Sequence, residues 1–336
     1  MIDFRYHIVS LISVFLALAV GIVLGAGPLR GTIADELSGQ VDQLRVEKEA
    51  LRADLDTAQT AVQDRSSFIS ESAPRLLEGT LSGRSVSLVA LPGADPDVTD
   101  AVAARLTQAD ATIAGRVQIT DTWVDPSQMT FRSGIAQNLV PSMNPAPEDD
   151  APSGEVLAQA LGQSLTLRDP DHTDKRSPAA DQMLELLKTS ELVTEDSTVD
   201  GPAYATVVVG PPARQEEPTD KELDRLEQVN TMLTHFSLGI SGTGEAAIVA
   251  GAPDGPGSLL AAVRAHDEAA AKVTTVDSVG TVTGQVTIPL ALAAAISGEQ
   301  GHYGTSEDAD AVIPPQTSLP APDPGQFARG PAEDQG

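Results

Sequence analysis

An unbroken apolar run near the N-terminus limits what this chain can become. Between Ile8 and Leu24 only Ser10, Ser13 and Gly21 interrupt the hydrocarbon side chains. About 20 apolar residues in a helix span the roughly 30 Å hydrocarbon core of a bilayer. Tyr6, His7, Gly25 and Ala26 carry the segment through the interface. A helix satisfies its own backbone groups, so the run can sit in lipid without a partner. Tyr6 suits an aromatic belt, and Arg5 with the α-amino group gives a small positive bias. The expectation is a membrane anchor over residues 1–27, N-terminus in the cytoplasm and the bulk of the chain extracytoplasmic. The competing reading is a cleaved signal peptide, for which Gly25-Ala26-Gly27 offers small residues. Against it, the charged n-region is a single Arg5 offset by Asp3, and the run exceeds the usual h-region. A buried core helix is the third reading, and a helix apolar on every face needs a large surrounding core.

Behind Gly27-Pro28, which breaks or kinks the helix, a heptad pattern begins. With Ala34 at position a, the a residues are Ala34, Val41, Lys48, Leu55, Val62 and Ile69. The d residues are Leu37, Leu44, Leu51, Ala58 and Arg65. A mostly apolar seam free of Gly and Pro from Val41 to Ser72 predicts a coiled coil. The stalk is placed at residues 28–75, and a helix over 34–69 would be about 54 Å long. In a parallel homodimer through residues 34–69, Glu47 meets Arg52 of the other copy with the correct sign. Lys48 in the seam costs stability and favours one register. The alternative is a single amphipathic helix lying on its own domain.

The 21 Lys and Arg against 48 Asp and Glu leave a net charge of −27 over 336 residues. That disfavours nucleic acid, whose affinity rests on cations neutralising phosphates, and docking on anionic headgroups. Aromatic residues are 3% of the chain, so the core must be built from Ala, Val, Leu and Ile. With no cysteine, the chain lacks disulfides and thiolate metal sites.

From Arg84 the sequence becomes globular. Ser85–Leu91, Arg116–Val124, Tyr204–Val209, Ala246–Ala250 and Val273–Val276 read as strands. Helical stretches fall at Asp97–Asp110, Pro126–Val140, Glu155–Leu165 and Ala179–Leu192, and Thr219 caps a long helix through Phe236. Pro141–Pro152 and Arg168–Ser177 are loops. Short β-branched runs alternating with helices predict a mainly parallel sheet covered on both faces. The expected fold is thus a doubly wound α/β domain over residues 84–304, carried on the anchor and coiled coil. Residues 305–336, acidic and Pro-rich without periodicity, read as a disordered tail.

Motifs for chemistry are sparse. The stretch Gly251 to Ser258 follows a strand and opens a helix, where α/β folds cradle phosphate. It lacks a Walker lysine, carries Asp254 where an anion would sit, and is interrupted by Pro253 and Pro256, so it reads as a connection. Gly239-Ile240-Ser241-Gly242-Thr243-Gly244 precedes its strand and fails as a dinucleotide fingerprint. The sequence has no nucleophile elbow, and no pair among His7, His172, His235, His266 and His302 has metal-ligand spacing. Met129, Met143, Met183 and Met232 are scattered, and Asp308 with Asp310 falls in the tail. No residue is assigned a catalytic or cofactor-binding role, and the chain is expected not to be an enzyme.

The opening MIDFRYHIVSLISVFLALAVGIVLGAGPL resembles the start of the actinobacterial MctB family. So do Val276-Asp277, Gly284-Gln285, Leu290-Ala291-Leu292-Ala293, Gly298 and Gly301-His302-Tyr303-Gly304 near the end. The resemblance spans anchor, coiled coil and the last α/β segment. It implies copper efflux or homeostasis in the cell envelope, sometimes attributed to an outer-membrane pore. Some relatives look instead like envelope proteins that act with a partner in wall remodelling or division. A β-barrel pore needs many strands of alternating residues, and this chain offers short strands spaced by helices.

Three functions stand at this point. They are a membrane-anchored copper-homeostasis protein with copper as the transported ion, a coiled-coil scaffold presenting an α/β recognition domain to an envelope partner, and an enzyme on wall polymers or nucleotides. If metal ligands converge, the expected contributors are His302 and Asp277. Both lie in the segment that carries the resemblance, and Asp277 ends a strand where α/β folds place their sites. The competing reading has Asp277 capping the following turn and Gly301–Gly304 closing the fold.

Overall fold

The computed structural model describes residues 4–26, 28–214, 216–253 and 255–323, with the side chains of 26–36 left aside. Compactness divides the chain at Arg65/Ser66 into two units. In the first, α1 (Phe4–Ala26) is one 23-residue helix, apolar on all sides. It is long and apolar enough to cross a membrane from Phe4 to Gly25. Helix α2 (Pro28–Leu77) runs for 50 residues, about 75 Å at 1.5 Å per residue. Its seam residues Leu37, Val41, Leu44, Leu51, Leu55 and Val62 are all exposed. The a-position Ala34 lies outside the described side chains.

In the second unit, a seven-stranded sheet has the order β3-β2-β1-β4-β5-β6-β7. The strands are β1 (Ser85–Ala90), β2 (Thr112–Ile119), β3 (Val193–Ser197), β4 (Ala205–Val209), β5 (Ala246–Ala250), β6 (Thr274–Val276) and β7 (His302–Tyr303). All pairs are parallel except β2 with β3. Period-two alternation splits the strand side chains between two cores. Val86, Leu88, Val207, Val209 and Ile248 face α3 (Pro96–Gln108) and α11 (Val282–Ile296). The last turns of α2 belong to that core: Ala73 and Leu77 are fully buried and Ile69 packs against them. The expected 34–69 seam therefore surrenders its final a residue to the domain.

Val89, Val208 and Val249 face the opposite layer. It is built from α4 (Asp121–Val124), α5 (Met129–Leu139), α6 (Ser153–Thr166), α7 (Pro178–Thr189), α8 (Asp220–Ser241), α9 (Leu259–Ala265) and α10 (Asp267–Lys272). Helices on both faces of a mainly parallel sheet make the expected doubly wound α/β fold. Thr219 opens α8 as expected, its N–H and Oγ both donating to the Glu222 carboxylate at 2.9 and 2.7 Å. Two glycines set how closely α8 seats. A Cβ on Gly239 would collide with the Glu155 carbonyl, and one on Gly162 with Thr243.

The departures are local. Expected strand Arg116–Val124 begins instead at Thr112, in register with Ser85, and ends at Ile119. Beyond it α4 buries Trp123, edge-on to Phe236 at 5.4 Å. Strands β3 and β7 were not expected. Residues 305–323 are not free either: Asp310 accepts the His302 amide at 2.8 Å, Pro320 O accepts from Arg84 Nη2 at 3.1 Å, and Leu319 packs on the core. Residues 324–336 of the expected tail lie outside the described residues.

Candidate functional site

Asp277 follows β6, and its side chain is wholly buried. Its carboxylate accepts from Ser278 Oγ at 2.8 Å, from the Thr305 amide at 2.8 Å and from the Ser306 amide at 3.2 Å. Arg264 Nη2 closes the ring at 3.3 Å. Burial pushes this carboxyl up, but the hydrogen bonds from Thr305, Ser278 and Ser306 together hold it below the ordinary aspartate value. Arg264, itself almost fully buried, also reaches Thr275 Oγ1 and Asp308. The Asp277 carboxylate also lies against Gly304, where any Cβ would overlap it.

His302 sits one strand away on β7, its Nδ1 2.9 Å from Thr275 Oγ1. Burial and then the Arg264 charge lower its affinity for a proton. The structure thus brings His302 and Asp277 to adjacent strands but commits each to other partners. A cation at Asp277 would have to displace Arg264. The arrangement pins the C-terminal segment to the sheet edge.

The chain reverses direction across the sheet between β1 and β4, and the crevice beyond their carboxyl ends is where such folds hold ligands. Here the Gly210-Pro211-Pro212 turn packs close to Gly93 and Gly280. A Cβ on Gly93 would stand 3.6 Å from Pro211, and one on Gly280 would stand 3.4 Å from Pro212.

A cavity of about 210 Å³ lies beside the ends of β1 and β2, lined by Ala90, Thr99, Asp100 and Arg116 among others, and larger ones lie on the helical layer around α8. One cavity of about 520 Å³ is lined by Trp123, Met129, Arg132, Met232 and His235 among others. A second, of about 340 Å³, is lined by Asn230, Thr234, His235, Ser258 and His266 among others. His235 lines both. Its position follows from the close seating of α8 and from the Gly251–Ser258 connection, which Asn230 Nδ2 holds through Gly257 O at 3.0 Å. Gly257 has φ +75°, and a Cβ there would stand 2.6 Å from Leu226.

The rings of His235 and His266 lie 6.3 Å apart, 71° from coplanar. Sequence spacing gave no hint of this pair, because 31 residues and a strand separate them. His235 Nδ1 is sealed from solvent and has no hydrogen-bond partner among the described residues. Burial, then the neighbouring His266, lower the proton affinity of His235, so its imidazole is neutral at neutral pH. His266 Nδ1 accepts the Ala269 amide at 3.3 Å, capping α10. Among the described residues no three of His, Asp and Glu converge as a metal-binding group.

Comparison with known proteins places this architecture. Proteins named "Copper transporter MctB" from Mycobacterium tuberculosis and Mycobacterium bovis are each 29% identical over 326 residues, covering 93% of this chain and 99% of theirs. One of the same name from Mycobacterium leprae is 27% identical, covering 94% and 100%. A family model described as "Copper transport outer membrane protein, MctB" matches residues 1–314, apolar helix, long helix and α/β domain together. The chain belongs to the MctB family.

Proposed function

We propose that this chain is a non-catalytic, membrane-anchored envelope protein that acts in copper efflux or homeostasis. The observation that carries the reading is a family match running from the apolar helix through the whole α/β domain. Anchored by α1 with its N-terminus in the cytoplasm, the domain works outside the membrane. The family description makes an outer-envelope location part of the proposal. Two features favour handling of the ion over forming a pore wall. The described sheet is covered by helices on both faces, and the described chain has a single candidate span.

Deleting the gene in its own host should raise cell-associated copper and sensitise growth to copper, with zinc tolerance unchanged. Unchanged copper content, accompanied by a wall or division defect, would overturn the copper reading. That outcome would favour a second reading, a homodimeric stalk presenting the domain to an envelope protein. Its support is the exposed seam of α2 from Leu37 to Val62.

A further inference from the structure

We propose that His235 and His266 form a two-imidazole site for a cuprous ion, in the cleft between α8 and the α9–α10 turn. The inference rests on the copper reading above and gives it a place.

Geometry carries the argument. Two metal–nitrogen bonds of about 2 Å each, plus two ring radii, span roughly 6 Å. The observed ring separation is 6.3 Å, which matches that span. Glu227 lines the same cavity as the two histidines, on a chain whose net charge of −27 draws cations in. His235 Nδ1 is one of five buried side-chain polar atoms without a partner among the described residues, and the one imidazole nitrogen of the five. A ligated ion would account for it.

The donor set selects the ion. Zinc and cupric ion want four or more ligands, and among the described residues no third His, Asp or Glu converges here. Cuprous ion accepts two ligands and tolerates soft neighbours. Met232 lies three residues before His235 on α8, and both line the adjoining cavity with Met129. The Met232 sulfur currently accepts from Arg132 Nη2 at 3.3 Å, so the imidazoles are the primary ligands. Binding has one structural cost. Ligation through Nδ1 of His266 displaces the Ala269 amide, and ligation through Nε2 puts the ring proton on Nδ1. Either way the cap of α10 is given up.

The test uses the full chain in detergent, without oxygen, with cuprous ion presented as its bicinchoninate complex. The native chain should withdraw one ion per chain. H235Q and H266N should each weaken binding at least about 100-fold, while H302N leaves it unchanged. H266N keeps an N-cap acceptor, so α10 stays capped while the imidazole is lost. On binding, hydrogen exchange at the Ala269 amide should accelerate in the native chain and not in H235Q. Copper binding that survives in both variants overturns the site and leaves the copper reading intact. No binding by the native chain, or equal affinity for zinc, also overturns the site. The copper reading is then judged by the host's copper content.

Discussion

Leucines in the two units have opposite fates. Along α2, Leu44, Leu51 and Leu55 are 62%, 69% and 56% exposed, whereas Leu88, Leu106, Leu157 and Leu161 in the α/β domain are fully buried. The helical rod satisfies its backbone internally and leaves its apolar face to something else. The domain finds partners for its apolar residues within its own fold. What separates them is the period of the apolar positions. A 3.5-residue repeat makes one stripe along a single helix, which that helix cannot cover itself, while short β runs stack into a sheet that neighbouring helices cover.

Substitutions sharpen or break this contrast. The largest effect is expected from L44D with L51D, tested by sedimentation of the full chain in detergent. Each leucine buried in a dimer contributes about 1.5–3 kcal/mol, and the new charges add a desolvation cost. The dimer should dissociate while the melting of the α/β domain stays put. A native chain that is already monomeric at high micromolar concentration would break the contrast, because the stripe would then need some other cover.

D277A comes next and tests the domain's self-sufficiency. Removing one member of a buried ion pair costs about 3–5 kcal/mol, and Asp308 beside Arg264 keeps the loss near the low end. The same carboxylate sets a pH dependence. Its folded value lies below the ordinary aspartate value, so its stabilisation is full above the unfolded value and is lost as pH falls through the folded one. Denaturant titrations of the native chain between neutral and strongly acidic pH should show this slope, flattened in D277A. A D277A loss under about 1 kcal/mol would mean that the C-terminal segment is not held by this residue.

The smallest effect is S177A. Ser177 Oγ accepts the Ala180 amide at 3.1 Å at the start of α7. Losing such a cap costs about 1 kcal/mol, and the melting temperature should drop about 2–4 °C. Oligomer state should not change.

Elements with a strong apolar period were legible from sequence. Ala205–Val209 and Ala246–Ala250 are buried at every position, and both lie within runs read as strands. Edge strands were not legible, since β3 exposes Thr194, Glu195, Asp196 and Ser197 and so lacks an apolar signature. Strand β7 is two residues long and exists through its pairing with β6. The candidate site was the least legible part. His302 and Asp277 were visible through family resemblance, but their partners Arg264, Thr275 and Thr305 were not. His235 and His266 meet because glycines seat α8 and a turn returns the chain, and no spacing rule encodes that. The tail misled because acidic, Pro-rich composition says nothing of the individual bonds that hold residues 305–323.

One of those bonds joins the beginning of the domain to its end. Arg84, almost fully buried just before β1, donates from Nε to Glu245 at 2.6 Å and from Nη2 to Pro320 O at 3.1 Å, across 236 residues. A chain still emerging from the ribosome has β1 long before it has Pro320. The domain therefore closes as a clasp, with this contact unavailable until Pro320 has emerged. A chain cut short before residue 320 leaves the Arg84 guanidinium one acceptor short in a dry setting. Trimming the C-terminus to a tidy boundary at Gly304 would remove the fastening along with the tail.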